Sequence, residues 1–213
     1  MVRTSAELES DAAAFTPWIS AELGFALASF EDETALLADG SPTYAGIQGL
    51  NAKILGLAGA VDAATNNDTF AEITATDLAT AFAKLPDYAA ANAKWFCSQS
   101  CFAHVFCRLA AGAGGLTSGR NGVPLWWGMQ VVVSPQFPNG TSTTDFSDVP
   151  MLYVGDLARA CIFGSRRQIT VKRTDSRYLE FDQAAYRATE RFDIVWVLGT
   201  AATAGPLIGL IGD

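Results

Sequence analysis

The segment from Gln183 to Trp196, QAAYRATERFDIVW, constrains the fold of this chain more than any other, because it follows the run RQITVKR and the turn-forming triplet TDS. At helical spacing, Tyr178, Phe181, Ala185, Ala188 and Phe192 make one stripe. At strand spacing, Ala184, Tyr186, Ala188, Phe192, Ile194 and Trp196 face one way, while Gln183, Arg187, Thr189, Arg191 and Asp193 face the other. The preceding run decides between the two. RQITVKR alternates Ile169 and Val171 with Thr170 and Lys172, TDS turns the chain, and RYLEFDQ begins the return. A strand before the turn calls for a strand after it, and six of the seven even positions from 184 to 196 are apolar, with Glu190 alone dissenting. The reading is a long β-ribbon. Two strands by themselves are marginal in water, so the ribbon needs an element of its own length to lie along.

One stretch supplies it. TPWISAELGFALASFEDETALLADG places Thr16 as an N-cap, Pro17 at the first helical position and Asp39-Gly40 as a stop. Between them the spacing predicts a helix of roughly 33 Å with Ile19, Leu23, Ala26, Phe30 and Leu37 on one stripe. An Ala/Gly-rich stretch follows to Ala64, then a helix around Ala75 to Leu85, a strand at AKWFC, a cysteine-bearing helix, a Gly-rich loop, and short strands in VPLWWGMQVVVSP and MLYVGDLARACIFG. The order is mixed, as in an α+β protein.

Chemistry is sparse. His104 is the only histidine and no serine sits in a G-x-S-x-G context, which removes most triad hydrolases. Cys97, Cys101, His104 and Cys107 imitate a zinc motif. On one helix they would span about 15 Å, too far for a tetrahedral ion, so they read as a thiol-lined core face and no metal is expected. Cys161 stands alone, and unpaired thiols fit a reducing compartment. AGAGGLTSGRNG lacks the G-K-[ST] ending of a phosphate loop, so no nucleotide cofactor is expected. No secretory signal opens the chain. The uncharged run Ile194 to Gly212 is broken by Gly199, Gly205 and Pro206 and reads as strand, turn, strand, not a membrane span. The net charge of −8 and pI near 4.6 argue against wrapping nucleic acid; DNA nearby would be contained, not gripped. Half the residues are hydrophobic and 17% charged, a surplus of apolar surface that suits contact with other subunits.

Three segments, EDETALLADGS, LYVGDLARACIFGSRRQITVKR and SRYLEFDQAAYRATERFDIVW, resemble in order recurring segments of the major capsid proteins of tailed phages, the Hong Kong 97-type fold. The resemblance covers most of the chain. It implies a peripheral domain of spine helix and β-ribbon at residues 1–40 and 165–197, and a mixed α/β axial domain at 41–164 and 198–213. It also implies a structural protein with no catalytic residue and no cofactor, whose main partner is itself. Hexamers and pentamers would close into an icosahedral shell around DNA, built in the bacterial host cytoplasm, with scaffolding, maturation protease and portal proteins as further partners. The expected subunit contact comprises Tyr186, Arg187, Glu190 and Arg191, with the arginines meeting a neighbour's carboxylates. Family members carry an arm and an extended loop ahead of the spine helix. Almost nothing precedes it here, so the resemblance implies a truncated form that folds but yields monomers or small oligomers. An encapsulin-type nanocompartment shares the fold and is the alternative; an enzyme with an unfamiliar site is a second one, to which no residue points.

Overall fold

The computed structural model describes residues 1–12 and 14–213. The strands are β1 (Val2–Ser5), β2 (Ala60–Asp62), β3 (Lys94–Cys97), β4 (Leu116–Ser118), β5 (Pro124–Trp126), β6 (Met129–Val133), β7 (Pro150–Gly155), β8 (Cys161–Thr174), β9 (Gln183–Trp196) and β10 (Leu207–Ile211). The principal helices are α1 (Ala6–Asp11), α2 (Phe15–Leu37), α3 (Leu50–Ile54) and α4 (Ala75–Ala83). The chain divides into two compact units: Met1–Thr34 with Phe163–Ile194, and Ala35–Ile162 with Val195–Asp213.

In the first unit the strand order is β1-β9-β8, with β1 antiparallel to β9 so that Val2 lies opposite Tyr186 and Ser5 opposite Gln183. The period-2 reading of residues 183–196 holds. Ala184, Tyr186 and Ile194 are buried on one face, while Arg187, Arg191 and Asp193 are exposed on the other. Ala185 is buried against that pattern and pairs with Arg3 of β1. The tight TDS turn is overturned: a 3-10 turn over Ser176–Phe181 intervenes, Asp182 takes φ 49°, and the return strand starts only at Gln183. Tyr178 holds this link, its ring lying 5.3 Å from the guanidinium of Arg3 and 5.7 Å from that of Arg177.

Helix α2 runs 23 residues, about 35 Å, against about 46 Å for the 14-residue strands of the ribbon, so it is long enough to lie along most of it. It begins at Phe15, so Thr16 lies inside it and does not cap it. The Thr16 hydroxyl instead meets the Tyr186 hydroxyl at 3.0 Å. The buried stripe also differs from the expected one. Ala26, Phe30 and Leu37 are exposed, while Ile19 and Thr34 are buried and Leu23, Leu27 and Glu31 partly so. Three steps of four residues from Ile19 to Glu31 outrun the 3.6-residue turn, so this stripe winds around the helix before a step of three reaches Thr34, and it takes in two polar residues.

The second unit is built on a seven-stranded sheet in the order β2-β10-β7-β3-β6-β5-β4, parallel at β2/β10 and β3/β6 and antiparallel elsewhere. Every residue of β7 and β10 is buried, because each central strand is covered on both faces and its side chains have no solvent side to alternate with. Trp95, Phe106, Trp126, Phe70 and Phe146 lead the core, with Phe106 edge-on to both tryptophans at 5.7 and 5.4 Å. The uncharged run after Trp196 turns as expected: Gly199 takes φ 88°, and the Thr200 amide donates to the Thr203 carbonyl at 2.9 Å before β10 begins. No helix among the described residues is long and apolar enough to cross a membrane.

Asp77 organises the start of α4. Its carboxylate accepts from the amides of Thr74 and Ala64, the Thr74 hydroxyl and the Asn67 side-chain amide at 2.8 to 3.0 Å, while Thr74 caps the helix in return. Burial pushes this carboxyl up, and the hydrogen bonds outweigh it and hold it below its ordinary value of 3.8. Asp77→Ala strands several buried donors and should cost about 2–3 kcal/mol in urea unfolding at pH 7. Because the folded-state value is depressed, that advantage is present above pH 3.8 and fades as the pH falls through the lower folded value. Equal midpoints for the two proteins at pH 7 would contradict this role.

Candidate subunit interface

The four residues expected at a subunit contact do not share one surface. Arg187 and Arg191 lie exposed on the polar face of β9, and neither makes a hydrogen bond or ion pair among the described residues. Tyr186 and Glu190 lie on the opposite face, and Tyr186 is buried. Its hydroxyl donates to Glu9 Oε1 at 2.8 Å, and Glu9 in turn takes Arg173 Nε and Nη2 at 2.6 and 2.9 Å. That fork ties α1 to β8, and the Arg173 guanidinium followed by the Tyr186 hydroxyl holds the Glu9 carboxyl below its usual range. Tyr186 therefore joins helix to ribbon within the subunit.

Glu190, the one dissenting residue in the apolar alternation, is half-buried and faces Glu31 of α2. Its Oε2 is buried without a hydrogen-bond partner among the described residues. Two carboxyls in one place cannot both ionise cheaply. Burial, then the hydrogen bond and charge of Glu190, then the charge of Asp32 push the Glu31 carboxyl up to about 7. A raised carboxyl favours the folded state in its protonated form. Its contribution is full below the ordinary value of 4.5 and is lost as the pH rises through about 7. Glu31→Gln should therefore gain about 1 kcal/mol over the parent at pH 8, after allowing for solvent screening of this half-buried group, and nothing at pH 4. Unfolding curves whose difference does not change between those two pH values would refute the pairing.

The polar face of the ribbon carries a concavity of about 280 Å³ lined by Arg167, Thr170, Lys172, Arg187 and Thr189. Large apolar side chains are exposed in the same unit, with Trp18 57% and Phe25 74% accessible on α2 and Phe181 67% accessible in the turn. Unpaired cations on the ribbon and uncovered aromatic rings elsewhere in the unit are each the chemistry of surface that meets another protein.

Among the described residues no group of three or more His, Cys, Asp or Glu is placed so that it could hold an ion. The expected thiol-lined helix face is also corrected. Cys97 ends β3 and Cys101 sits in the short helix Gln99–Cys101, both buried, whereas Cys107 is exposed and Cys161 partly so. The reason is local. Residues Phe102–Cys107 form a π-helical turn, which changes the angular step between side chains and rotates Cys107 out of the core. Burial and the neighbouring Cys97 push the Cys101 thiol well above its usual range, so it stays protonated.

Residues 1–205 match the Phage capsid family. No curated protein matches. Among solved structures, the fold is similar to the capsid of a native GTA particle (TM-score 0.68, 15% identity), with 100% of this chain and 70% of that one covered. It is similar too to a Mycobacterium phage Adephagia chain (0.65, 16%, covering 100% and 70%). The SrpI encapsulin of Synechococcus elongatus PCC 7942 also shares it at a lower score (0.60, 11%, covering 99% and 71%). At these identities the structural likeness carries the Hong Kong 97-like fold, and the sequence match over nearly the whole length carries the family. The chain belongs to the phage capsid family and is a capsid protein.

Proposed function

We propose that the chain is the shell-building subunit of a tailed phage or prophage head, assembling with copies of itself into pentamers and hexamers of an icosahedral shell that encloses DNA. The observation that carries this is the family match over residues 1–205, and the uncovered polar face of the ribbon gives it a physical means. In this reading the ribbon and α2, residues 1–40 and 165–197, form the peripheral domain, and residues 41–164 and 198–213 form the axial one. Arg187 and Arg191 take carboxylates of a neighbouring copy, while Tyr186 and Glu190 set the ribbon's position from behind. Exposed ion pairs contribute only about 0 to 1 kcal/mol each, but cyclic symmetry repeats every pair around a ring. The protein is structural and not a catalyst. Assembly takes place in the host cytoplasm, where scaffolding, protease and portal proteins are its further partners.

Sedimentation velocity over a concentration series tests the reading. The boundary should move from monomer toward ring-sized species as concentration rises, and more strongly at low salt. A boundary that stays monomeric at every concentration and salt level would overturn it.

A further inference from the structure

The net charge of the chain is −8, yet half of its 14 Lys and Arg fall between Arg166 and Arg191. Three of them converge. Arg167 and Lys172 from β8 and Arg187 from β9 line the 280 Å³ concavity together with Thr170 and Thr189, and no carboxylate is among the lining residues. None of the three cations makes a hydrogen bond or ion pair among the described residues. On the same strand, Arg173 is neutralised by a two-pronged contact with Glu9 and a further one with Asp175 at 3.4 Å. The contrast matters. Three like charges around one hollow repel one another, and an arrangement with no internal counter-charge is complete only when an anion enters.

The donors indicate which anion. Guanidinium forks, an ammonium and the Thr189 hydroxyl supply many N–H and O–H groups around one small volume, while the Thr170 hydroxyl already donates to the Gln168 carbonyl at 3.2 Å; this suits a ligand with several oxygens. A carboxylate brings one negative charge on two coplanar oxygens, whereas inorganic phosphate brings between one and two charges on four tetrahedrally arranged oxygens, and a phosphodiester one charge on two non-bridging oxygens with further phosphates along the strand. We propose that this concavity binds phosphate, as the free ion or as the phosphodiester of a nucleic-acid strand. One local site of this kind is compatible with an acidic protein that does not wrap nucleic acid, because three cations neutralise few phosphates and the affinity is modest and salt-dependent. Arg187 is shared with the proposed contact between copies. Binding is therefore measured on the monomer, so that failure here leaves the assembly reading standing and the reverse.

The test is a phosphorus-NMR and thermal-unfolding titration with inorganic phosphate against chloride at matched ionic strength, with a short single-stranded oligonucleotide as the second arm. Phosphate in about tenfold excess over its Kd should raise the melting temperature by roughly 3 °C. Arg167→Gln combined with Lys172→Gln should lose that shift and weaken binding at least about tenfold, as expected when two charge-assisted donors are removed. Lys172→Arg, which keeps the charge, and Arg166→Gln, outside the lining, should keep the shift. Oligonucleotide binding tighter than phosphate in the parent, and lost in the double variant, would identify the phosphodiester as the occupant; equal or weaker binding would identify the free ion. No difference between phosphate and chloride, or the same shift in the parent and the double variant, would overturn the proposal.

Discussion

Replacing Arg187 and Arg191 together by glutamate should abolish ring formation while leaving the fold intact. Both side chains are exposed and make no hydrogen bond or ion pair among the described residues, so the subunit loses no internal interaction when they change. Charge reversal does more than remove an attraction, because it places like charges opposite the carboxylates proposed on the neighbouring copy. Two reversed charges at each contact should cost about 2–4 kcal/mol, which is roughly a 30- to 1000-fold loss in the association constant of a single contact. Closure of a ring multiplies this penalty by the number of contacts. Circular dichroism and the urea midpoint should match the parent, while ring-sized species vanish from sedimentation profiles. Rings formed in parental yield would show these arginines to be solvated surface only.

A second large effect is expected at Gly155, for a different reason. The residue ends β7 between two neighbours, opposite Lys94 of β3 and Leu207 of β10. Its φ of 147° is one that residues with a side chain rarely adopt, and a Cβ there would lie 2.2 Å from the Pro206 carbonyl oxygen and 2.9 Å from Leu207 Cα. Backbone occupies the space, so no side-chain rotation can relieve the clash. Gly155→Ala must force β10 away from β7, where Asp156 donates its amide to Pro206 at 2.9 Å and every strand residue is buried. A loss of about 3–5 kcal/mol follows from strained φ and overpacking together. Urea unfolding measures it directly, and an unchanged midpoint would mean that the two strands do not approach as closely as described.

How far the fold could be read from the residues follows the physics of each element. The alternation from Ala184 to Trp196 was legible because burial on one face leaves a period of two, and the helix to match it was legible from its length and its Asp39-Gly40 stop. Glu190 stood out as the single break in that alternation, and it is the residue that faces Glu31. The stripe on α2 was misread for the same reason: Glu31 and Thr34 are covered but polar, so hydrophobic spacing favoured Phe30 instead. β1 was missed. Four residues at a sheet edge, with only Thr4 buried, carry no apolar pattern to detect.

The cationic hollow was less legible still. Arg167 and Lys172 are separated from Arg187 by 15 or more positions in the chain and meet only through the pairing of β8 with β9. That pairing depends on the length of the turn between them, and TDS predicted a tight one where six residues of 3-10 turn intervene. A register error of one residue reverses every side chain. Alternation could thus place the arginines of β9 on the polar face and set Thr170 and Lys172 apart from Ile169 and Val171 on β8, while which residues of β8 meet Arg187 could not be read.

Rings built by repeating one contact between copies of this chain should be visible individually. Electron micrographs of the purified chain at high concentration and low salt test this most directly, since they show the symmetry of whatever forms. Five- and six-membered rings that dissolve as salt is raised are expected. Fields containing only single subunits, or assemblies with neither five- nor six-fold symmetry, would contradict that expectation.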